Sequence, residues 1–333
     1  MDIYSKKIFL PRTTNNYSTL FFSIGIFILP SIPLFAGILF LFLLIYGVKK
    51  RKSSFFSDKW NISFFFSGIF LISSCLFITL NKSQNLKDYD ISLSWLGIIN
   101  FIPFFLFFWA IQYYLINKEQ IRIYGLALVA GSIPVLITGI LQYFFDIYGP
   151  FTILNGSIIW YLKDADAHQG MSGLFNNANY TAAWLIVVAP FSLTYLMEFK
   201  KNLGEKVFAY SINFLILLCT FFTFSRAGWI GLILALFLNL KKKNYKWLIM
   251  PLLIFLALIL ISMGIFKDEK LINFSRTIVP EAIWNYKLKE FSLFNIDAFI
   301  RIKVWLIALQ NIYIKPLWGW GLQSFPILFI LKN

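Results

Sequence analysis

The sequence predicts an all-α, polytopic bundle of membrane-spanning helices. Of its 333 residues, 59% are hydrophobic and only 14% are charged, whereas soluble domains contain about 45–50% apolar and about 25% charged residues. The mean hydropathy is +0.72. The apolar residues also form long runs, and an α-helix needs about 20 such residues to cross the ~30 Å hydrocarbon core. Composition and run length together therefore exclude an ordinary soluble domain.

We predict about nine crossings before residue 266. Residues 20–48 contain Pro30 and Pro33, so they form either one long kinked span or two short helices that meet at the prolines. The distribution of charge favours two helices. The remaining predicted spans are 60–80, 91–116, 121–145, 179–197, 207–224, 227–240 and 247–266.

The orientation follows from clusters of lysine and arginine. Most of these residues up to position 266 fall on one predicted side, in the N-terminal segment and in the loops 49–59, 117–122, 198–206 and 241–246. Loops on the opposite side carry Lys82, Lys87, Lys163 and Arg226. Cytoplasmic loops are enriched in Lys and Arg, so the N-terminus is predicted to be cytoplasmic. These clusters also account for the net charge of +15 without nucleic-acid binding.

Two regions are expected, a transmembrane helical domain at 1–266 and an extracytoplasmic segment at 267–333. Within the second region, 298–314 is predicted to be an amphipathic helix that lies at the membrane surface, because it carries Gln310 and Asn311 and is short for a span. Pro316, Gly319 and Gly321 end this helix.

Two arginines are candidate anion ligands. Arg226 lies between two apolar runs that are short for two full crossings, so its charge is expected near or slightly below the membrane surface. Its planar guanidinium group is suited to phosphate or diphosphate, but it is also compatible with a snorkelling residue at a helix end. Arg301 lies in the predicted surface helix, where it is either a second ligand or an ordinary polar-face residue.

Other polar residues are weaker candidates for a binding, catalytic or metal-ligating role. Asn177 and Asn179 precede the predicted span at 179, where asparagine commonly caps a helix. Asp164, Asp166 and His168 alternate in one loop, but three residues without a fourth ligand are more consistent with a solvated loop than with a metal site. Asp146 is either a cation ligand or a helix-end charge.

Three sequence elements resemble those of the O-antigen ligase and polymerase family of bacterial membrane proteins. Residues 173–179, GLFNNAN, resemble the family's Gly-x-Phe-x-Asn-Pro-Asn element. Residues 224–229, FSRAGW, resemble its Ser-Arg-Gly/Ala element, and 301–325 contain its Arg-x-x-x-Trp and Pro-Leu-x-Gly-x-Gly stretches. The matching positions are Gly173, Asn177, Asn179, Ser225, Arg226, Arg301, Trp305, Gly319 and Gly321.

The resemblance implies a function at the periplasmic face of the inner membrane. Members of this family transfer a glycan from an undecaprenyl-diphosphate carrier to lipid A–core or to another glycan acceptor, without a metal or other cofactor. Arg226 and Arg301 correspond to arginines that are implicated in diphosphate binding. Partners are then the lipid-linked glycan, its acceptor and membrane lipids, with no role for nucleic acid.

Two departures from the family pattern affect this expectation. Ala178 replaces the usual proline. The family's catalytic histidine lies beyond the Gly-x-Gly element, and His168 does not match it, so no catalytic base is identified and a truncated or inactive copy is expected. The alternatives are a polysaccharide polymerase, a bicarbonate-type solute transporter and a non-catalytic lipid-binding remnant. A lack of buried Asp, Glu or Lys in the predicted spans argues against an ion-coupled transporter.

Overall fold

The computed structural model describes a helical protein with one short hairpin. It covers residues 16–51, 55–81, 89–115, 117–164, 170–198, 202–239, 257–258, 261–262, 268–279 and 300–331. The helices are α1 (Asn16–Ile28), α2 (Pro33–Lys50), α3 (Lys59–Leu80), α4 (Ser92–Ile99), α5 (Ile102–Ile111), α6 (Lys118–Gly131), α7 (Ile133–Phe145), α8 (Ala178–Glu198), α9 (Leu203–Phe222), α10 (Arg226–Asn239), α11 (Glu269–Ile278), α12 (Ile300–Ile314) and α13 (Phe325–Leu331). The antiparallel strands are β1 (Phe151–Ile153) and β2 (Ile158–Trp160), with Phe151 opposite Trp160.

The predicted helical membrane bundle is confirmed. Within the described parts of the chain, six helical stretches are long and apolar enough to cross a membrane: Pro33–Lys50, Lys59–Leu80, Ser92–Ile111, Lys118–Phe145, Ala178–Leu196 and Leu203–Phe222. Shorter apolar helices cover Tyr17–Ile28, Arg226–Phe237 and Ile302–Ile314. The total of nine crossings stays a prediction, and most of the span predicted at 247–266 lies outside the described residues.

The chain divides into two helices around Pro30 and Pro33, which is the alternative that the charge distribution favoured. α1 ends at Ile28 and α2 begins at Pro33, a first helical position where the missing proline N–H costs no hydrogen bond. The Phe22 and Phe40 rings meet edge to face with centroids 5.7 Å apart, so the two helices pack against each other. The break therefore produces a helical pair rather than a single kinked helix.

One compact unit contains Met1–Leu43 and Leu115–Tyr286. α8 is central to it, since it packs against α6, α9 and α10. The core of this unit is apolar and combines residues from these helices and α7, namely Val129, Leu136, Met171, Leu185, Val188, Ala189, Ile212, Ile216, Cys219 and Leu232. Burial of these side chains fixes the helices whose ends carry the candidate site.

The second compact unit contains Leu44–Tyr114 and Lys287–Asn333. Near the end of α2, the buried Arg51 guanidinium donates to the Gln112 side-chain oxygen at 2.6 Å and to the Trp109 carbonyl at 3.2 Å. Gln112 in turn donates to Asp58, which caps α3 by accepting from the Trp60 N–H. One member of the basic cluster at 49–52 thus has a structural role, because its Nη1 group joins the end of α2 to Trp109 and Gln112 within this unit.

Glycine permits close contact between α1 and α6. A Cβ atom placed on Gly131 would lie 2.3 Å from the Phe27 carbonyl oxygen and 2.9 Å from the Phe27 Cα. A backbone atom cannot rotate away as a side chain can, so any larger residue at 131 must separate the helices. By contrast, a Cβ on Gly37 in α2 would meet no atom within 4 Å.

We therefore expect Gly131→Ala to destabilise the protein by about 1–3 kcal/mol, the usual cost of overpacking a tight contact. The measurement is thermal unfolding of the purified protein in detergent. Gly37→Ala is the matched control and should leave the melting temperature unchanged or slightly raised, since alanine favours a helix over glycine. Equal melting temperatures for the two variants would contradict the close contact.

Candidate functional site

Two of the family-like elements meet where α8 and α10 begin. The Ser225 hydroxyl donates a hydrogen bond to the Asn179 side-chain oxygen at 2.8 Å. Asn179 is the second residue of α8, and Ser225 immediately precedes α10. Forty-six residues separate them in sequence, so this contact brings the asparagine-containing element and the arginine-containing element into one site.

Asn177 caps α8. Its side-chain oxygen accepts from the Asn179 N–H at 2.8 Å, and its carbonyl accepts from the N–H groups of Tyr180 and Thr181. Ala178, found where the family has proline, is the first helical residue, a position whose N–H has no intrahelical partner. The capped helix start is therefore confirmed, and Asn179 has the additional role of holding Ser225.

The turn between α9 and α10 is closed by hydrogen bonds at both ends. The Ser225 hydroxyl oxygen accepts from the Gly228 N–H at 3.2 Å, which caps α10, while Phe224 adopts a left-handed conformation with φ 50°. The Trp229 indole N–H donates to the carbonyl of Thr220 at 3.2 Å at the end of α9. These contacts fix the backbone on both sides of Arg226.

Arg226 is the first residue of α10, and its side chain is exposed. The start of a helix carries partial positive charge and has N–H groups without intrahelical partners, so a cation there is unfavourable by itself. The same features attract an anion, and the guanidinium group adds a planar set of donors. The arrangement is chemically suited to an anionic group that contacts both the side chain and the helix start.

α10 packs closely on α8 through two glycines. A Cβ on Gly228 would lie 2.7 Å from the Ala182 Cβ, and one on Gly231 would lie 2.7 Å from the Ile186 Cδ1. Small residues at helix contacts allow this approach in membrane proteins. The position of Arg226 relative to α8 is consequently fixed by packing as well as by the Ser225–Asn179 hydrogen bond.

A buried glutamine holds the segment that leads into α8. The fully buried side chain of Gln142 accepts from the N–H groups of Ser172 at 3.0 Å and Gly173 at 2.7 Å. Its amide nitrogen donates to the Lys163 carbonyl and, at 3.2 Å, to the Ser172 hydroxyl. The Thr181 hydroxyl donates to the Ser172 carbonyl, which links this network to α8.

The same segment also touches the end of α9. The Met171 N–H donates to the Phe222 carbonyl at 2.8 Å, and a Cβ on Gly170 would lie 2.2 Å from the Thr223 carbonyl oxygen. Gly170 and Gly173 have φ of 68° and 53°, a region that favours glycine. Sequence reasoning assigned Gly173 to the site but missed Gln142, although a glutamine within the apolar run of α7 was an available signal.

The residues considered for a metal or cation site are only partly within the described part of the chain. Asp166 and His168 lie outside the described residues, and in the described part of the chain no group of three or more His, Cys, Asp or Glu could hold a metal ion. Asp146 is the C-cap residue that follows α7, and it accepts from the Tyr148 hydroxyl at 2.7 Å. That hydrogen bond, with smaller effects from desolvation and nearby carboxylates, raises the pKa of Tyr148 to about 12. The contact favours a helix-end role for Asp146.

The third family-like element belongs to the second compact unit. Arg301 is the second residue of α12, and Trp305 follows one turn later with 66% of its surface exposed. After α12, Gly319 and Gly321 have φ of 66° and 100°. The close contact is at Gly321, where a Cβ would lie 2.6 Å from the Tyr89 hydroxyl oxygen. Arg226 and Arg301 thus belong to different units, and the paired arginine clamp stays a prediction.

Comparison with protein families matches part of the chain. The family model described as O-antigen ligase matches residues 211–332, which include the elements around Arg226, Arg301 and Gly319. The element at 173–179 precedes the matched region. Searches of curated proteins and of solved structures gave no match.

We expect Gln142→Leu to loosen the segment at 170–175, because the Ser172 and Gly173 N–H groups would lose their common acceptor. An unsatisfied buried polar group costs about 1–3 kcal/mol. The variant should show faster amide hydrogen exchange in this segment and a lower melting temperature. Asn100→Leu, which removes an exposed side-chain amide just after α4, should alter neither; equal exchange in both variants would contradict the role of Gln142.

Proposed function

We propose that this chain, whose residues 211–332 match the family model described as O-antigen ligase, acts on a glycan linked to undecaprenyl diphosphate. The family is one of membrane glycosyltransferases of the ligase or polymerase type, and the proposed reaction moves the glycan to lipid A–core or to another glycan acceptor. The proposed location is the periplasmic face of a bacterial inner membrane. The observation that carries the proposal is the hydrogen bond between Ser225 and Asn179 beside Arg226.

The proposed ligand of Arg226 is the diphosphate group of the lipid carrier. The glycan would leave this group when the acceptor hydroxyl attacks the anomeric carbon, the bond from that carbon to the diphosphate oxygen breaks, and the hydroxyl proton is released to water. Negative charge then increases on the diphosphate, and a guanidinium group with helix-start N–H donors stabilises such charge most when it is greatest. Arg226 at the first position of α10 supports this role.

Asn179 and Ser225 are proposed as positioning residues. Ser225 uses its hydroxyl both as a donor to Asn179 and as an acceptor for the Gly228 N–H. It therefore couples the start of α8 to the start of α10, so that the Arg226 backbone keeps a defined place. Arg301 is proposed as a second diphosphate ligand, and Trp305, Gly319 and Gly321 are proposed as supporting residues of the same sequence element.

The predicted orientation is compatible with this role. Lys118 and Arg122 lie in the first two turns of α6, and α6 packs along α8 so that Gly125 touches Phe191. These cations are consequently near the end of α8, whereas Arg226 is near its start. If the basic loops are cytoplasmic, as the distribution of Lys and Arg predicts, Arg226 faces the periplasm.

Arg226→Ala should weaken binding of undecaprenyl diphosphate to the purified chain by about 10- to 100-fold, the range expected for loss of a charge-assisted hydrogen-bonded pair. Native mass spectrometry with this lipid gives the affinity without requiring turnover. In cells that depend on this protein for glycan transfer, the same variant should remove the glycan ladder from a gel.

Lys206→Ala is the control, since Lys206 is an exposed cation in the first turn of α9 and lies outside the proposed site. It should bind the lipid as the unmodified protein does. Undiminished binding by Arg226→Ala, or an unchanged ladder in cells that carry it, would refute the assignment of Arg226.

Asn179→Ala should have a smaller effect than loss of the arginine, because it removes the acceptor of the Ser225 hydroxyl but leaves the charge. We expect about a tenfold fall in transfer rate, in line with loss of one hydrogen bond that positions a ligand. Asn179→Asp retains a side-chain acceptor but adds a negative charge beside the proposed diphosphate site, so it should keep the stability of the unmodified protein and still lose transfer rate. A purely structural role predicts instead that the rate follows stability, so that Asn179→Asp keeps the rate.

A further inference from the structure

A groove lies between α6 and α8 at the end of α8 remote from Asn179. Its volume is about 290 Å³, and all its lining residues belong to the first compact unit. Fifteen residues separate Asn179 from Thr194 at the groove, which corresponds to about 22 Å along the helix. The groove is therefore distinct from the site around Arg226.

The groove has one cationic end. Lys118 and Arg122 line it from successive turns of α6, and Thr194 and Tyr195 line it from α8. Lys118 and Arg122 are four residues apart, so their like charges share one helix face and repel each other. None of the lining residues is a carboxylate. An anion at this end of the groove would be attracted by both cations.

The rest of the groove is apolar. Ile121 and Leu126 on α6 and Phe191 on α8 line it, and Gly125 forms its floor where a Cβ would lie 2.8 Å from the Phe191 ring. Both helices belong to stretches that are apolar and long enough to cross a membrane. The cations lie in the first two turns of α6 and the apolar residues extend toward its middle, so the groove passes from a charged end into the membrane-spanning part.

From this arrangement we infer that the groove binds an anionic glycerophospholipid. The phosphate of the lipid contacts Lys118 and Arg122, and the beginning of one acyl chain lies along Leu126 and Phe191. A free phosphate ion would use only the charged end and would leave the apolar part uncovered. The leaflet on the cytoplasmic side is rich in anionic lipid, which agrees with the orientation predicted from the basic loops.

The test uses the full chain in a neutral detergent, with phosphatidylglycerol as the probe and phosphatidylcholine as the neutral comparison. Native mass spectrometry gives the dissociation constant of each lipid. We expect phosphatidylglycerol to bind more tightly. The double variant Lys118→Gln/Arg122→Gln should weaken its binding by roughly tenfold, because cations near a membrane surface each add to the attraction of an anionic lipid.

The matched control is Lys59→Gln/Lys206→Gln, which removes the same charge from exposed first-turn lysines outside the groove. This control should change the affinity by less than about twofold, since exposed charges that do not line the groove are screened by salt. Lys118→Arg/Arg122→Lys retains both charges and should keep the affinity of the unmodified protein.

Two results would overturn the inference. One is an equal loss of phosphatidylglycerol binding in the groove variant and in the control, which would mean attraction by net charge alone. The other is displacement of the lipid by inorganic phosphate or by glycerophosphoglycerol, which has no acyl chains, at a concentration equal to that of the lipid. That outcome would identify a site for a free anion. Neither result depends on glycan transfer, so the test is separate from that of the proposed function.

Discussion

The hydrogen bonds of the buried Gln142 amide determine how the first unit presents its candidate site. One side chain in α7 satisfies the N–H groups of Ser172 and Gly173 and the carbonyl of Lys163. An irregular backbone segment next to apolar helices needs such partners, because a hydrocarbon environment supplies none. With these bonds made, the chain can enter α8 from a fixed direction, and Asn177 and Asn179 follow within a few residues.

The polar contacts and the close packing of helices act together on Arg226. Ser225 binds Asn179 at the helix starts, and Gly228 and Gly231 allow α10 to approach α8 one and two turns further along. A hydrogen bond alone would leave α10 free to tilt, and packing alone would leave it free to slide. Both constraints act on the same pair of helices, so the guanidinium group projects from a defined backbone position.

The pattern of apolar residues in the sequence predicted the helices well, because the membrane imposes a length and a hydrophobicity on each helix separately. Predicted spans 60–80 and 179–197 correspond to Lys59–Leu80 and Ala178–Glu198. The motifs located Ser225, Arg226 and Asn179, but their spacing could not show that Asn179 contacts Ser225, since that contact depends on how α8 and α10 pack. Gln142 was missed for the same reason: its partners lie 21 to 31 residues away and are mostly backbone groups.

The first unit has one cationic site at Arg226 and another at Lys118 and Arg122. The two sites differ in how firmly the backbone positions their side chains, and this difference determines which ligand suits each. Arg226 follows a capped turn whose backbone is fixed by Ser225 and Trp229, which suits a ligand that must be held in one geometry for reaction. Lys118 and Arg122 project from an exposed helix face beside an apolar groove, which suits a lipid that needs charge attraction but little orientation. A reactive diphosphate and an anionic bilayer lipid make these two different demands. We therefore assign the reactive diphosphate to the start of α10 and the bilayer lipid to the groove.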